Sequence, residues 1–417
     1  MDARRLIPEF LHHVTVFFLI GCYRYKTLGP SKRQRFVVNG LQSGLVQFPE
    51  SSQFVERVIA APFLKKGSNI IQIVGYEGWI QIANIRLSSP EFGGVNYNVP
   101  FTDCMTTVCK KRRKILKWLD SIKGQYIVAG QEERPDSDAI QRMTGDWPVI
   151  MGLDFIHYQP TRPDGYGSVE QAIQWSTVMG GLVEFCWHWY SPTDALGSDP
   201  FYSSQSAFDL PRALNNPKSN QYQQILAHID VVIRQLKRLQ EKNIVILFRP
   251  LHEAQGGWFW WGKFGPDAYV RLYKLVYSRI TAAGLQNIIW VFNSMAWTRA
   301  SVDKWNPGRS FYDIISTDIY FNTDGAAPAD GNGLYGNLVQ ESKGSALVAL
   351  AENGKLPDID HAFNNGAPWL YFKTWFGMLQ DTSINRREDV LKTFRHPRVI
   401  TLQEYKKRMN DFKCDRC

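Results

Sequence analysis

Two glutamates, far apart in the chain, each follow an apolar run: Glu253 in NIVILFRPLHE and Glu352 in ALVALAENG. Carboxyls that meet across a cavity can share the work of glycoside cleavage. One protonates the departing oxygen while the other attacks the anomeric carbon. Around Glu253 the sequence sets His252 immediately before it and, past a Gly-Gly turn, Trp258, Phe259, Trp260 and Trp261. Rings crowded beside a carboxyl suit a flat-faced neutral ligand, and sugar rings fit that description. His188, between Trp187 and Trp189 in FCWHWYSP, adds a second imidazole, a group suited to hydroxyl contacts. Each residue alone has a plainer reading: tryptophans as core, His252–Glu253 as a buried pair, Glu352 as a capped loop carboxylate. Four aromatics within four residues cannot all point inward from one loop, so the set reads as a site.

Such residues need elements that bring them together. Apolar runs without helical period recur at 126–129, 149–155, 182–189, 244–248, 288–292, 314–319, 346–351 and 369–375, the pattern of parallel strands buried on both faces. Helical patterns separate most of them, at 139–143, 171–179, 222–242, 266–283 and 389–396. Eight such strands with intervening helices predict an α/β fold of the (β/α)8 TIM-barrel type. An open doubly wound sheet is the rival, but no glycine-rich phosphate loop follows the first strand. Barrels carry their chemistry at the C-terminal ends of the strands. There the sequence supplies Trp187, His188 and Trp189, then His252 and Glu253, Asn293, Asp318 with Tyr320, Glu352 and Trp375. Trp187, Trp297, Trp260 and Trp261 either extend a cleft or pack beneath its loops. Segments 191–221 and 322–345 are long and polar enough to shape one.

Ahead of the barrel, short alternating runs at 14–25, 34–38, 54–60, 69–74 and 79–87 are separated by turn residues. They predict a small all-β sandwich over residues 1–88. Residues 89–101, rich in Pro, Gly and Asn, read as a linker to a catalytic barrel over 102–417. The chain has 417 residues, 48 basic against 39 acidic, and a net charge of +9. No nucleic-acid motif accompanies that charge, so no nucleic-acid partner is expected. The densest run, KKRRK at 110–114, reads as a solvated helix face. No stretch is long enough to span a membrane, so no membrane partner is expected. The run at 14–22 is short for a leader, lacks a small-residue cleavage site, and reads as a strand. Of six cysteines, Cys186 reads as a buried free thiol. Cys104, Cys109, Cys414 and Cys417 lie at the two ends of the barrel, where a disulfide joining the ends and one local bridge in each pair are both open. They lack nearby histidines for zinc.

RPLHE followed by GGWFWWG, together with FCWHWYSP, resembles glycoside hydrolase family 26, whose best-known members are endo-β-1,4-mannanases. The likeness extends through GLDF (152–155), FDLPRALNNP (208–217), VFN (291–293), DIYF (318–321), AENG (351–354) and WLYFKTW (369–375). It implies a retaining endo-acting hydrolase of β-1,4-mannosidic bonds, with Glu253 as acid/base and Glu352 as nucleophile. It further implies that His188 and His252 hold the sugar, Tyr320 bonds the nucleophile, and Trp258 and Trp375 stack on pyranose rings. Trp187 and Trp297 are added as candidate cleft rings. Ala254–Gln255 stand where Met-Asn is common, and AENG lacks the residues often found after the nucleophile. No cofactor or metal is expected, because two carboxyls suffice for the chemistry. A monomer acting on a polysaccharide outside the cell is expected on functional grounds. Mixed-linkage β-glucan or β-1,3-xylan as substrate, or a non-catalytic carbohydrate-binding barrel, are the alternatives. Residues 38–40, 48–49, 65–73 and 78–87 resemble the later strands of a family 35-like carbohydrate-binding module. Its opening strands are expected before Val14, where the chain offers only 1–13, which suggests an incomplete or divergent start. Ala83 stands where that family carries a calcium-binding Asp.

Overall fold

The computed structural model describes residues 19–27, 29–38, 41–61, 71–75, 77–78, 80–88, 106–161, 165, 167–295, 304–320, 332–364 and 367–414. Six strands come first: β1 (Leu19–Thr27), β2 (Lys32–Val38), β3 (Leu41–Phe48), β4 (Val55–Ala61), β5 (Ile71–Gly75) and β6 (Ile80–Ser88). They form two antiparallel sheets, ordered β4-β1-β6 and β3-β2-β5. Tyr25 on β1 and Phe48 on β3, both buried, meet edge to face at 4.8 Å, which joins one sheet to the other. β3 has no counterpart among the expected strands, because Gly44 and a polar Gln-Ser pair interrupt its apolar alternation. The expected linker, 89–101, lies outside the described residues.

The barrel strands are β7 (Ile127–Glu132), β8 (Ile150–Asp154), β9 (Leu182–Trp187), β10 (Ile246–Pro250), β11 (Ile288–Asn293), β12 (Ile314–Ile319), β13 (Leu347–Asn353) and β14 (Tyr371–Thr374). They run parallel in sequence order, and β14 pairs back onto β7 to close the cylinder. A two-residue strand, β15 (Val399–Ile400), adds to the outside of β7. The helices are α1 (Thr107–Ile122), α2 (Arg134–Thr144), α3 (Ser168–Gln174), α4 (Leu210–Asn215), α5 (Asn220–Glu241), α6 (Pro266–Ala282), α7 (Asn332–Glu341), α8 (Ile359–Asn364), α9 (Arg387–Phe394) and α10 (Leu402–Asp411). Among those with side-chain caps, Thr106, Asp209, Ser219 and Asp358 accept hydrogen bonds from Cys109 N, Arg212 N, Tyr222 N and His361 N, each satisfying a backbone donor the helix cannot.

Successive residues along each strand serve two apolar layers. Ile246 and Phe248 belong to the outer layer that holds Val169, Ile229 and Leu272 of α3, α5 and α6, while Leu247, Ile289, Val291 and Ala349 share the inner layer with Trp118 and Leu119 of α1. The KKRRK run is less solvated than expected. Arg112 is buried, and its guanidinium donates to Asp313 at 2.8 Å. Lys111 and Lys114 donate to the carbonyls of Asn243 and Met409. A helix lying across the foot of a barrel turns some of its cations toward protein. Cys109 and Cys414 are each disulfide-bonded, and Cys186 is a buried free thiol.

One register shift orients the mouth of the barrel. Thr317 pairs with Leu350 but Asp318 pairs with Glu352, so Ala351 is an extra residue on β13. The β13–β14 pairing breaks at the same place. Ala349 and Ala351 both belong to the lumen, and strict alternation would send Glu352 outward. The bulge turns it in beside Asp318. After β10 the chain reverses sharply: Leu251 and Glu253 adopt φ of 56° and 54°, each costing on the order of 1–3 kcal/mol. The turn closes at Gly262, where a Cβ would lie 2.0 Å from the carbonyl oxygen of Ala254. Gly262→Ala is therefore expected to lose about 1–3 kcal/mol of stability, seen as a lowered Tm in thermal unfolding followed by circular dichroism.

Candidate active site

Arg249, the penultimate residue of β10, is fully buried and binds three carboxylates. Its Nε donates to Glu184 Oε1 at 3.1 Å, Nη1 to Asp318 Oδ2 at 3.0 Å, and Nη2 to Glu352 Oε1. Tyr320, just beyond β12, donates its hydroxyl to the other oxygen of Glu352 at 2.6 Å. Both carboxylate oxygens of Glu352 are thus occupied and its orientation is fixed. Burial, together with the negative charge of Glu352, pushes the Tyr320 phenol well above its ordinary value, so it remains a donor.

Glu253 lives in a different environment. Its backbone N–H donates to Asn293 Oδ1 at 2.8 Å, and its side-chain Oε2 accepts from Trp258 Nε1 at 2.8 Å. No cation touches it among the described residues. Burial, followed by repulsion from Glu352, raises its pKa to about 7. Carboxylate oxygens of Glu253, Asp318 and Glu352 lie within 4.8 Å of one another. The two glutamates expected to face each other therefore do so, Glu352 gripped by Arg249 and Tyr320 and Glu253 pushed toward its acid form.

The histidines form a second layer. His188 and His252 are hydrogen-bonded through their Nε2 atoms at 3.2 Å. His188 Nδ1 bonds Asp154 Oδ2 at 2.5 Å, while Asp154 Oδ1 accepts from His188 N at 3.0 Å. Burial would lower the pKa of His188, but the charge and hydrogen bond of Asp154 outweigh it and raise it. His252 is pushed well down by burial, then by the positive charges of His188, Arg249 and Lys373. One imidazole of the pair thus favours its charged form and the other stays neutral.

The aromatics divide into anchors and exposed rings. Trp260 and Trp261 are fully buried and donate to the carbonyls of Trp189 (2.6 Å) and His252 (2.8 Å). Trp187 differs from its expected place in the cleft. It is 1% exposed and stacked on Trp189 at 4.1 Å, with both rings in the core. Trp297 lies outside the described residues. Trp258 and Trp375 stay half-buried, and Tyr320 is 39% exposed. The Trp375 ring stands 5.8 Å from that of His188, so it shares the mouth with the histidines.

Sequence reading gave no role to Asp154, Glu184, Arg249, Glu132, Tyr371 or Lys373. A signal was available, since Glu184 in LVEFCW and Lys373 in YFKT are ionised types inside otherwise apolar strands, and buried charges require partners. Among the described residues, two groups could offer three ligand atoms to a metal ion: Asp154, Cys186 and His188, and Glu253, Asp318 and Glu352. In the first, Asp154 and His188 already bond each other. In the second, Arg249 holds Asp318 and Glu352.

Known proteins match this arrangement. The model of glycosyl hydrolase family 26 matches residues 105–404. The mannan endo-1,4-β-mannosidase of Thermothelomyces thermophilus is 35% identical over 395 residues, covering 89% of this chain and 77% of the relative. Mannan endo-1,4-β-mannosidase B of Piromyces sp is 29% identical, covering 89% of this chain and 66% of the relative. Among solved structures, a GH26-CBM35 β-(1,4)-mannanase of Podospora anserina superposes with a TM-score of 0.70. It shares 30% identity and covers 94% of this chain and 88% of its own. A ruminal GH26 endo-β-1,4-mannanase gives 0.73 at 25% identity, covering 93% and 87%. With a closed eight-stranded barrel, two glutamates facing each other at its mouth and the family model matched from end to end of that barrel, the chain belongs to glycosyl hydrolase family 26.

Proposed function

We propose that this glycoside hydrolase is an endo-acting β-1,4-mannanase, cleaving mannan, glucomannan or galactomannan with retention at the anomeric carbon. The observation that carries the mechanism is the unequal treatment of two neighbouring carboxyls. Glu352 is gripped by Arg249 and Tyr320, whereas Glu253 is shielded and raised to about 7. Oxygens within 4.8 Å agree with the roughly 5–5.5 Å between carboxyl groups that suits direct attack, rather than the wider gap that admits a water. The relatives' names supply the choice of mannan.

In this mechanism Glu253 protonates the departing glycosidic oxygen while Glu352 attacks the anomeric carbon, forming a glycosyl ester. Esterification removes the negative charge that helped hold the proton on Glu253. Glu253 then acts as base toward the water that opens the ester. For His188 and His252 to hold the sugar at the cleavage point, the bond between their Nε2 atoms must open toward its hydroxyls. Trp258 and Trp375 offer ring faces to pyranoses on either side. Neither a metal nor an organic cofactor enters this reaction.

The domain reading is a carbohydrate-binding-module-like sandwich over 1–88, a linker at 89–101 and a catalytic barrel over 102–417. Two facing antiparallel sheets support the first, as does the module in the Podospora relative's description. No helix among the described residues is long and apolar enough to cross a membrane. A polymeric substrate places the enzyme's work outside the cell, and one barrel holds the whole site, so a monomer suffices.

Three outcomes are expected. Glu253→Gln should lower kcat on mannan by roughly 10²–10⁴-fold and Glu352→Ala should all but abolish it, with both variants folded by circular dichroism. Unchanged turnover in either would remove the assignment. Glu253 must be protonated to act and its pKa is raised, so kcat/KM should fall as pH rises through about 7. A basic limb that survives in Glu253→Gln would contradict this. Product profiling on mannan, mixed-linkage β-glucan and β-1,3-xylan tests the polymer, and preferential release of oligosaccharides from either of the latter two would replace mannan as substrate.

A further inference from the structure

Above the apolar floor of the lumen, six ionisable side chains form one continuous chain of ion pairs. Glu132 on β7 bonds Lys373 on β14, whose ammonium also lies 3.2 Å from Glu184 on β9. Glu184 accepts from Arg249 on β10, which continues to Asp318 on β12 and Glu352 on β13. None of the six is more than 3% exposed. Tyr371 on β14 completes Glu184 by donating to its Oε2 at 2.5 Å. The backbone is shaped to admit this chain: a Cβ on Gly152 would lie 1.9 Å from Glu132 Oε2 and 2.7 Å from Lys373 Cδ.

Glu132, Glu184, Asp318 and Glu352 make four carboxyls against the two cations Arg249 and Lys373. A buried lumen disfavours net charge, so two protons must remain among the carboxyls. Burial raises Asp318 well above its ordinary value and Glu132 to about 7, so these two favour the protonated form. Burial alone would raise Glu184 too, but Lys373 and Arg249 outweigh it and keep it below the usual range. Glu184 and Glu352 thus share one guanidinium, with Arg249 between them.

We propose that Glu184 and Lys373 are positioning residues for the reacting carboxylate: neither reaches the sugar, yet both act on Glu352 through Arg249. Glu184 draws part of the guanidinium's charge away from Glu352, and Lys373 offsets that draw by neutralising Glu184 from behind. This rests on the reading of Glu352 as nucleophile. Glu352 also faces Tyr320 beyond β12, Glu253 beyond β10 and His188 beyond β9, all of which stay unchanged in the variants below.

The two substitutions should act in opposite directions. Lys373→Met leaves Arg249 as the cation on Glu184, so the acid limb of the kcat/KM profile on β-1,4-mannohexaose should move up by about one pH unit. Glu184→Gln frees Arg249 for Glu352, and the same limb should move down by a similar amount, with kcat changed more than KM. Lys373→Arg keeps the charge and should leave the limb in place. A merely structural role would lower kcat in both without opposed shifts, and limbs that stay put or move together overturn the proposal. If Lys373→Met does not fold, Glu184→Gln decides alone, and an unmoved limb is fatal. Titration of glutamate carboxyls by ¹³C NMR, with the Glu352 signal identified by its loss in Glu352→Gln, should show the same opposed shifts without substrate. A wild type that cleaves no mannan would then sink the activity reading while leaving this one decided by the NMR.

Discussion

A guanidinium sealed inside a barrel is costly unless every donor finds a partner, because the ion has given up its hydration. Arg249 meets that condition by binding Glu184, Asp318 and Glu352 at once. Those three carboxylates come from three different strands, so the same contacts that satisfy the cation also fix β9, β12 and β13 relative to β10. The grip on Glu352 is thus inseparable from the closure of the lumen. Removing the arginine would leave three buried carboxyls without their shared donor, which is why its place near the end of β10 constrains the whole upper layer. Charge-assisted hydrogen bonds of this kind hold direction as well as energy, and direction is what an attacking carboxylate needs.

The contrast with Glu253 follows from strand geometry. Arg249 ends its strand pointing into the lumen, and the chain then turns through Leu251 and Glu253 in the left-handed region. That turn lifts Glu253 clear of Arg249 and sets it under the Trp258 indole. Two glutamates whose oxygens lie within 4.8 Å are thereby given opposite surroundings. The buried rings beneath them are not spectators. Trp260 and Trp261 donate to carbonyls of the β9 and β10 loops, satisfying polar groups that a dry, aromatic-walled mouth would otherwise leave bare.

Much of this was legible in the sequence, and unevenly so. All eight barrel strands appear as apolar runs because each is buried on both faces, and the order of chemical residues at their ends follows from that register. Glu253, Glu352, His188, His252 and Tyr320 stand together as expected. β3 escaped because a sandwich strand with Gly44 in it lacks clean alternation, and Trp187 was misplaced because sequence cannot tell which face of a strand end meets a neighbour such as Trp189. The charged layer was hidden for a related reason. Glu184 and Lys373 look like isolated polar interruptions until parallel pairing sets β9 and β14 around one lumen. The two are nearly two hundred residues apart, so their pairing is beyond the reach of any local pattern.

The bulge at Ala351 carries a consequence for comparing such barrels. Whether Glu352 meets its partners depends on how many residues precede it in the strand, and not only on its being glutamate. Two chains could agree at every reactive position and still differ in chemistry if one lacked that single inserted unit, since its carboxyl would swing toward the surrounding helices. Kinship judged letter by letter would miss the difference; the ladder of strand pairings would reveal it.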